Sequence, residues 1–459
     1  MDANRSAALN ERARILVAST PADYLEIRLE SVSSHSVNYS GKELDDIGER
    51  ESRGGNVRAC HQGGWGFCSF NLDSDLDKAV QEALEQARLI GYSKTALKLP
   101  TAIQGKAVQN FGKDPGLISL AEKKALCERY NQKLLSDKRI VTTRVSYLDY
   151  RKKVVFLSSH GTDLEQERVF TGLTLSALAR EGANVQRAYH SVGDHRGYDN
   201  VNCLDEKVES VQKRAVDLLN AAKPNSGRHT VILNPKLSGV FAHEAFGHMS
   251  ESDFIFDNPR IADKMKVGNR FGPSILNIVD QGNLPKECGG YAWDDEGVPS
   301  QKSHLIREGL LAGHLHSTET AYKMGEKLTG NARAISYGFK PIVRMSCTYI
   351  EPGDTDFDSM LQGVQEGIYA CGMLGGNTDL EQFTFSAEYA YEIKNGRLGP
   401  LLRDVILTGN VFETLGNIEK VGNDLQLFGG MGGCGKEGQS PLPVSDGGPH
   451  LQIRNVLIG

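Results

Sequence analysis

No CxxC pair occurs among the eight cysteines, Cys60, Cys68, Cys127, Cys203, Cys288, Cys347, Cys371 and Cys434. Such scattering matches thiols kept reduced, so a cytoplasmic protein is expected, and 459 residues are too many for a small disulfide-stapled scaffold. Taken singly, each cysteine reads as a small buried hydrophobe. The N-terminal MDANRSAALNERARILVAS alternates charge with Ala and Leu and lacks the apolar core of a signal peptide. No stretch approaches the ~18 apolar residues needed to span a bilayer. A basic excess is also missing: 52 Lys and Arg stand against 58 Asp and Glu, a formal charge of −6, so no nucleic-acid partner is expected. The glycine-rich GGWGF from Gly63 has neither GxGxxG spacing nor a phosphate-loop lysine, which argues against nucleotide binding. Internal repeats and low-complexity tracts are absent. Glycine, by contrast, is abundant, with 50 in 459 residues, above the usual ~7%. The length, with 39% apolar residues, suits roughly two to three domain cores.

Three segments carry helical periodicity: DLDKAVQEALEQARLI from Asp75, SLAEKKALCERYNQKLLSD from Ser119 and DEKVESVQKRAVDLLNAA from Asp205. Each opens on a Ser or Asp expected to cap it. Between them, DYLEIRLESVSSHSVNYSG and RIVTTRVSYLDYRKKVVFLSS read as strands of antiparallel hairpins. An α/β layer domain over residues 1–226 is the sum of these elements. KPNSGRHTVILNP places a boundary near Gly227. Past about residue 270 the helical pattern fades, and short apolar runs alternate with turns such as Asn395-Gly396 and Asp446-Gly447. Residues 227–459 are therefore expected to hold a β-rich, sandwich-like or barrel-like domain, giving an α+β protein overall.

The sharpest chemical feature is LSGVFAHEAFGHMSESDF, in which His243, Glu244 and His248 form HExxxH. Two imidazoles beside a carboxylate are what a zinc hydrolase needs: neutral nitrogens to hold the metal and a base for its water. On a regular helix, residues five apart lie about 140° around the axis, which would keep the rings from one ion. A widened turn would bring them together, and Gly247 is where that distortion is expected. A catalytic zinc takes a third protein ligand. The candidate is Cys434, within the glycine-dense LFGGMGGCGKEGQSPLPVSDGGPHLQI, whose backbone can approach a metal without side-chain obstruction.

HEAFGH, WDDEGVPSQKSHLIREGLLAGHL, GNARAISYGFKPIVRMSCTYIEPGD and GGCGKEGQSPLPVSDGGPHL together resemble the TldD/PmbA family of zinc metallopeptidases, in its catalytic TldD-like branch. The resemblance covers nearly the whole chain. It implies zinc held by His243, His248 and Cys434, with Glu244 as the general base. It further implies a dimer, with itself or with a TldD/PmbA homologue, that cleaves unfolded or extended peptides inside a narrow cavity. GNARAIS and SCTYI depart from the family's usual residues, away from the metal ligands. The alternative function is a non-catalytic regulatory subunit acting on a partner such as DNA gyrase, a branch that lacks the ligands kept here.

Other residues carry weaker expectations. Asp294, Asp295 and Glu296 read as a solvated acidic turn before a cation or amine site. Arg333 and Arg344 read as structural ion pairs or as a receptor for a peptide carboxylate. Glu251 and Asp253 are candidates to orient the ligand imidazoles. His304, His314 and His316 are expected at the surface, since no third ligand is near them in sequence.

Overall fold

The structure is a computed structural model and describes residues 3–71, 73–94, 97–379 and 381–459. The two expected hairpins are long. Tyr24–Ser40 pairs antiparallel with Glu43–His61, and Ile140–Ser158 with Asp163–Glu181. Tyr24–Ser40 also pairs with Ile140–Ser158, which joins the hairpins into one seven-stranded sheet. Gly41 (φ 57) and Gly161 (φ 95) sit at their turns, where positive φ is cheap only for glycine. The far end of Asp163–Glu181 pairs antiparallel with Asn184–Asp194, and its start pairs in parallel with Gln104–Val108.

Helix Leu76–Ile90 buries Leu76, Ala79, Val80, Ala83, Leu84 and Ala87, the apolar set read from its periodicity. Gly66 in GGWGF serves this contact: a Cβ there would lie 1.8 Å from the Ala83 carbonyl oxygen. Helices Leu120–Leu134 and Asp205–Asp217 cover a second core around Val37, Val145, Tyr147 and Leu173. Of the three expected caps, only Ser119 holds, in a capping box with Glu122. Asp75 makes no side-chain cap bond, and Asp205 lies inside a helix whose cap position belongs to Leu204.

From Gly227 onward the chain builds a nine-stranded and a six-stranded sheet. In the first, Gly227–Leu233 lies between Glu366–Cys371 and Leu451–Ile458. In the second, Cys347–Ile350 lies between Ile278–Gln281 and Ser445–Gly448. Their shared core includes Leu237, Phe241 and Phe246 of the HExxxH segment. The fold is thus α+β and rich in strand. Among the described residues no helix is long and apolar enough to cross a membrane.

Buried charges tie the N-terminal sheet to the later half, and they correct the reading of the acidic turn. Asp294, Asp295 and Glu296 are buried, not solvated. Asp294 accepts the backbone N–H groups of Glu296, Val298 and Ala332. Asp295 lies 3.2 Å from Arg28, and Glu296 accepts from Arg58 and from the Thr318 N–H. The run of carboxylates is explained by donors that fold back onto it from distant parts of the chain, which sequence order does not reveal.

Candidate metal centre

Strand Gly227–Leu233 leads straight into helix Pro235–Ala242, whose start is fixed by Pro235 and by Asn234 accepting the Leu237 N–H at 2.9 Å. The helix then widens into a π-turn over His243–Gly247. His248 donates its backbone N–H to the His243 carbonyl, five residues back, and a 3-10 turn follows. The extra residue in the turn brings the two imidazoles to one side, with ring centroids 5.1 Å apart and planes at 89°. The distortion expected at Gly247 is present, and glycine is there for space. A Cβ at Gly247 would lie 2.1 Å from Met345 Sδ.

Cys434 arrives from a short hairpin, Cys434–Lys436 with Gln439–Leu442. Its Sγ lies 3.3 Å from His248 Nε2, and ligand atoms of His243, His248 and Cys434 all fall within 4.8 Å of one another. Burial raises the Cys434 thiol pKa, but the hydrogen bonds of His243 and His248 outweigh it and bring it to about 6. Conversely, burial lowers His248, while Cys434 and Glu251 pull it up to about 9. A thiolate flanked by two imidazoles is a borderline-soft donor set suited to zinc. Glu244, partly exposed, lines the same cavity of about 1110 Å³ as His243, His248 and Cys434. That cavity is lined from both halves of the chain, by Tyr189 and Ser191 of the first sheet and by the loop 428–437.

The surroundings hold the ligands by their outer atoms. Glu251 is fully buried. Its Oε2 lies 3.1 Å from both His248 Nδ1 and Lys436 Nζ, and its Oε1 accepts the Met345 N–H. Burial opposes its charge, yet His248 and Lys436 hold its carboxyl below the usual range. Asp253, expected to act likewise, instead accepts from Lys436 at 2.6 Å and from the Val343 N–H. His243 Nδ1 lies 2.7 Å from Asp446 Oδ1, an ion-pair contact without hydrogen-bond alignment that still drives the His243 pKa well above normal.

Lys436 escaped notice, and Asp446 reads in the sequence only as a turn with Gly447, whereas that dipeptide lies in strand Ser445–Gly448; both residues belong to the C-terminal motif. Among the described residues, Arg333 and Arg344 form no ion pair. Arg344 donates to the Cys434 carbonyl at 2.7 Å and to the Gln439 carbonyl at 3.2 Å, clamping the ligand hairpin, and Arg333 donates to the Met345 and Pro443 carbonyls. His304 is half-buried in a strand, while His314 and His316 are 3% and 1% exposed, contrary to the surface placement expected of them. A carboxylate, Glu326, lies against both.

A mixed fold that brings a His2Cys cluster and a carboxylate to one cavity gives a candidate metal centre. Sequence profiles of the PmbA/TldA metallopeptidase match residues 25–88 as domain 1, 113–222 as the central domain and 226–459 as the C-terminal domain. The chain belongs to the TldD/PmbA family. It is 44% identical to a metalloprotease of Synechocystis sp., with 95% of each chain covered. A zinc metalloprotease TldD homolog of Saccharolobus solfataricus is 27% identical, covering 95% of this chain and 97% of its own. Among solved structures, TldE from Thermococcus kodakarensis superposes with a TM-score of 0.73 at 19% identity over 99% of both chains. A Thermotoga maritima protein described as a candidate modulator of a DNA gyrase gives 0.78 at 20% identity, over 99% of this chain and 100% of its own.

Proposed function

We propose that the protein is a zinc-dependent metallopeptidase acting on unfolded or flexible polypeptides. The observation that carries this reading is that His243, His248 and Cys434 converge and line one cavity with Glu244. The three side chains would hold the metal, which when bound supplies the Lewis acidity that makes water a nucleophile at neutral pH. Glu244 takes the proton of the attacking water and returns it to the leaving amine. Glu251 and Asp446 hold the imidazoles, Arg344 holds the Cys434 backbone, and the walls of the cavity limit access.

A cavity reached by a flexible chain, with strand edges nearby, favours an extended peptide that binds through its backbone. A homodimer, or a pair with a TldD/PmbA homologue, in the cytoplasm completes the proposal, on the strength of the family resemblance and the cysteine spacing. Retention of all three donors and of Glu244 favours catalysis over a purely regulatory role toward a partner such as DNA gyrase. The test is Glu244→Gln. It is expected to keep metal stoichiometry and to lose at least about 100-fold in hydrolysis of an unstructured peptide, the scale of a missing general base. Wild-type turnover by this variant would overturn the mechanism.

A further inference from the structure

A second cluster of metal-ligating side chains lies outside the cavity. His314 Nδ1 is 2.7 Å from Glu326 Oε1, and His316 Nε2 is 3.1 Å from Glu326 Oε2. Ligand atoms of the three residues lie within 4.8 Å of one another, and the two rings meet at 86° with centroids 6.1 Å apart. That edge-on arrangement parallels the 89° of His243 and His248.

The outer nitrogens are already committed. His314 Nε2 lies 2.9 Å from the Met265 carbonyl oxygen, which can only accept, so Nε2 carries a proton and donates it. His316 Nδ1 faces Thr320 Oγ1 at 3.2 Å. Metal-binding histidines characteristically spend their second nitrogen this way, on a carbonyl or another acceptor, which fixes the tautomer and aims the free lone pair. His314, its Nε2–H so spent, turns Nδ1 to one oxygen of Glu326, and His316 turns Nε2 to the other, a geometry in which one divalent cation can be held by all three side chains. The histidine side chains are 2% and 0% exposed, and Glu326 is 25% exposed, which leaves a way in on the carboxylate side.

We propose that His314, His316 and Glu326 form a second divalent transition-metal site, for a borderline ion such as zinc. The chain geometry gives the site a task. His316 precedes helix Thr318–Met324, and Glu326 follows its left-handed Gly325 cap, so one ion clips both ends of the helix. Leu315, between the two histidines, donates its N–H to the Ser250 carbonyl and accepts the Ser252 N–H. It thereby flanks Glu251, the residue that holds His248. The ion is a brace for that segment and takes no part in the reaction.

The test is cobalt(II) titration of untagged, chelator-stripped full-length protein, read as ions bound per chain together with the optical spectrum. A thiolate ligand gives a near-ultraviolet charge-transfer band, and a His2Glu site gives visible bands alone. The unsubstituted chain is expected to bind one more ion than Glu326→Gln or His314→Gln, and both variants should keep the thiolate band. The double variant His248→Gln with Cys434→Ser removes two ligands of the first centre. It is expected to retain one ion without the band, and it decides the matter even where a variant of the second cluster fails to fold. Loss of all cobalt from the double variant would mean that protons alone occupy the cluster, and would overturn the site. Equal binding by Glu326→Gln and the unsubstituted chain would do the same. Because the thiolate band reports the first centre separately, failure there and failure here are told apart.

Discussion

Glu251 shows how much of the candidate centre depends on single atoms. Its carboxylate is fully buried, and it survives as an anion because one oxygen faces both His248 Nδ1 and Lys436 Nζ while the other accepts a backbone N–H. Glu251→Gln preserves shape but removes the charge that steadies the imidazole. Metal affinity is expected to fall by about 10- to 100-fold, the range typical of such outer partners. Competition with a chelator measures it, and an unchanged affinity would assign Glu251 to packing alone. Its proximity to HExxxH made Glu251 visible in the sequence. Lys436 was hidden, because a lysine two residues past a cysteine says nothing about which buried carboxylates it will meet. The histidines at 314 and 316 were misplaced for a similar reason. Both lie in the irregular segment between strand Leu310–Leu311 and helix Thr318–Met324, and only the Schellman-like turn after Met324, with the Glu326 N–H donating to the Ala321 carbonyl, brings a carboxylate to them.

At the scale of elements, the π-turn His243–Gly247 decides whether the site exists. Five-residue spacing fails on a regular helix and works on a widened one, so a shared ion requires the irregularity that the turn shows. Met345 lies against the turn where any side chain at Gly247 would go. Gly247→Ala is expected to destabilise the fold by about 1–3 kcal/mol, as overpacking of a tight core does, and to weaken metal binding along with it. Thermal unfolding of metal-free and metal-loaded protein would show both effects. A variant as stable as the parent would mean that Met345 moves aside freely. The glycine density near Cys434 has a cause in packing. A Cβ at Gly429 would lie 2.1 Å from the Gly193 carbonyl oxygen, and one at Gly433 would lie 2.3 Å from the Leu442 carbonyl oxygen. These glycines let the ligand loop lie against the first sheet and fold into its own hairpin.

Across the whole molecule, buried ions connect the sheet of the first half to the loops of the second. Arg58 bridges Glu26 at 2.7 Å and Glu296 at 3.0 Å. Burial and the Glu296 charge raise Glu26 to about 7 against the pull of Arg58. A carboxyl whose folded pKa exceeds its unfolded value of about 4.3 favours the folded state below that value. This contribution is lost as pH rises through about 7. Glu26→Gln mimics the protonated form at every pH. Its melting temperature relative to the parent is therefore expected to rise between pH 5 and pH 8. A pH-independent difference between the two proteins would show that Glu26 is ionised throughout.

Local chemistry alone determined much of this protein. Period-2 and period-3.6 patterns located the long hairpins and the main helices, and HExxxH with its neighbouring glycine marked the turn that widens. Those features are legible because they depend on neighbours a few residues away. Tertiary structure decided which distant groups share a dielectric environment. It brought Cys434 against His248 across 186 residues, buried Asp294, Asp295 and Glu296 against donors from other elements, turned two arginines into backbone clamps and placed Glu326 between two histidines. A charged or coordinating side chain has no fixed role until its partners are in place, because burial without them costs several kcal/mol and burial with them is tolerated.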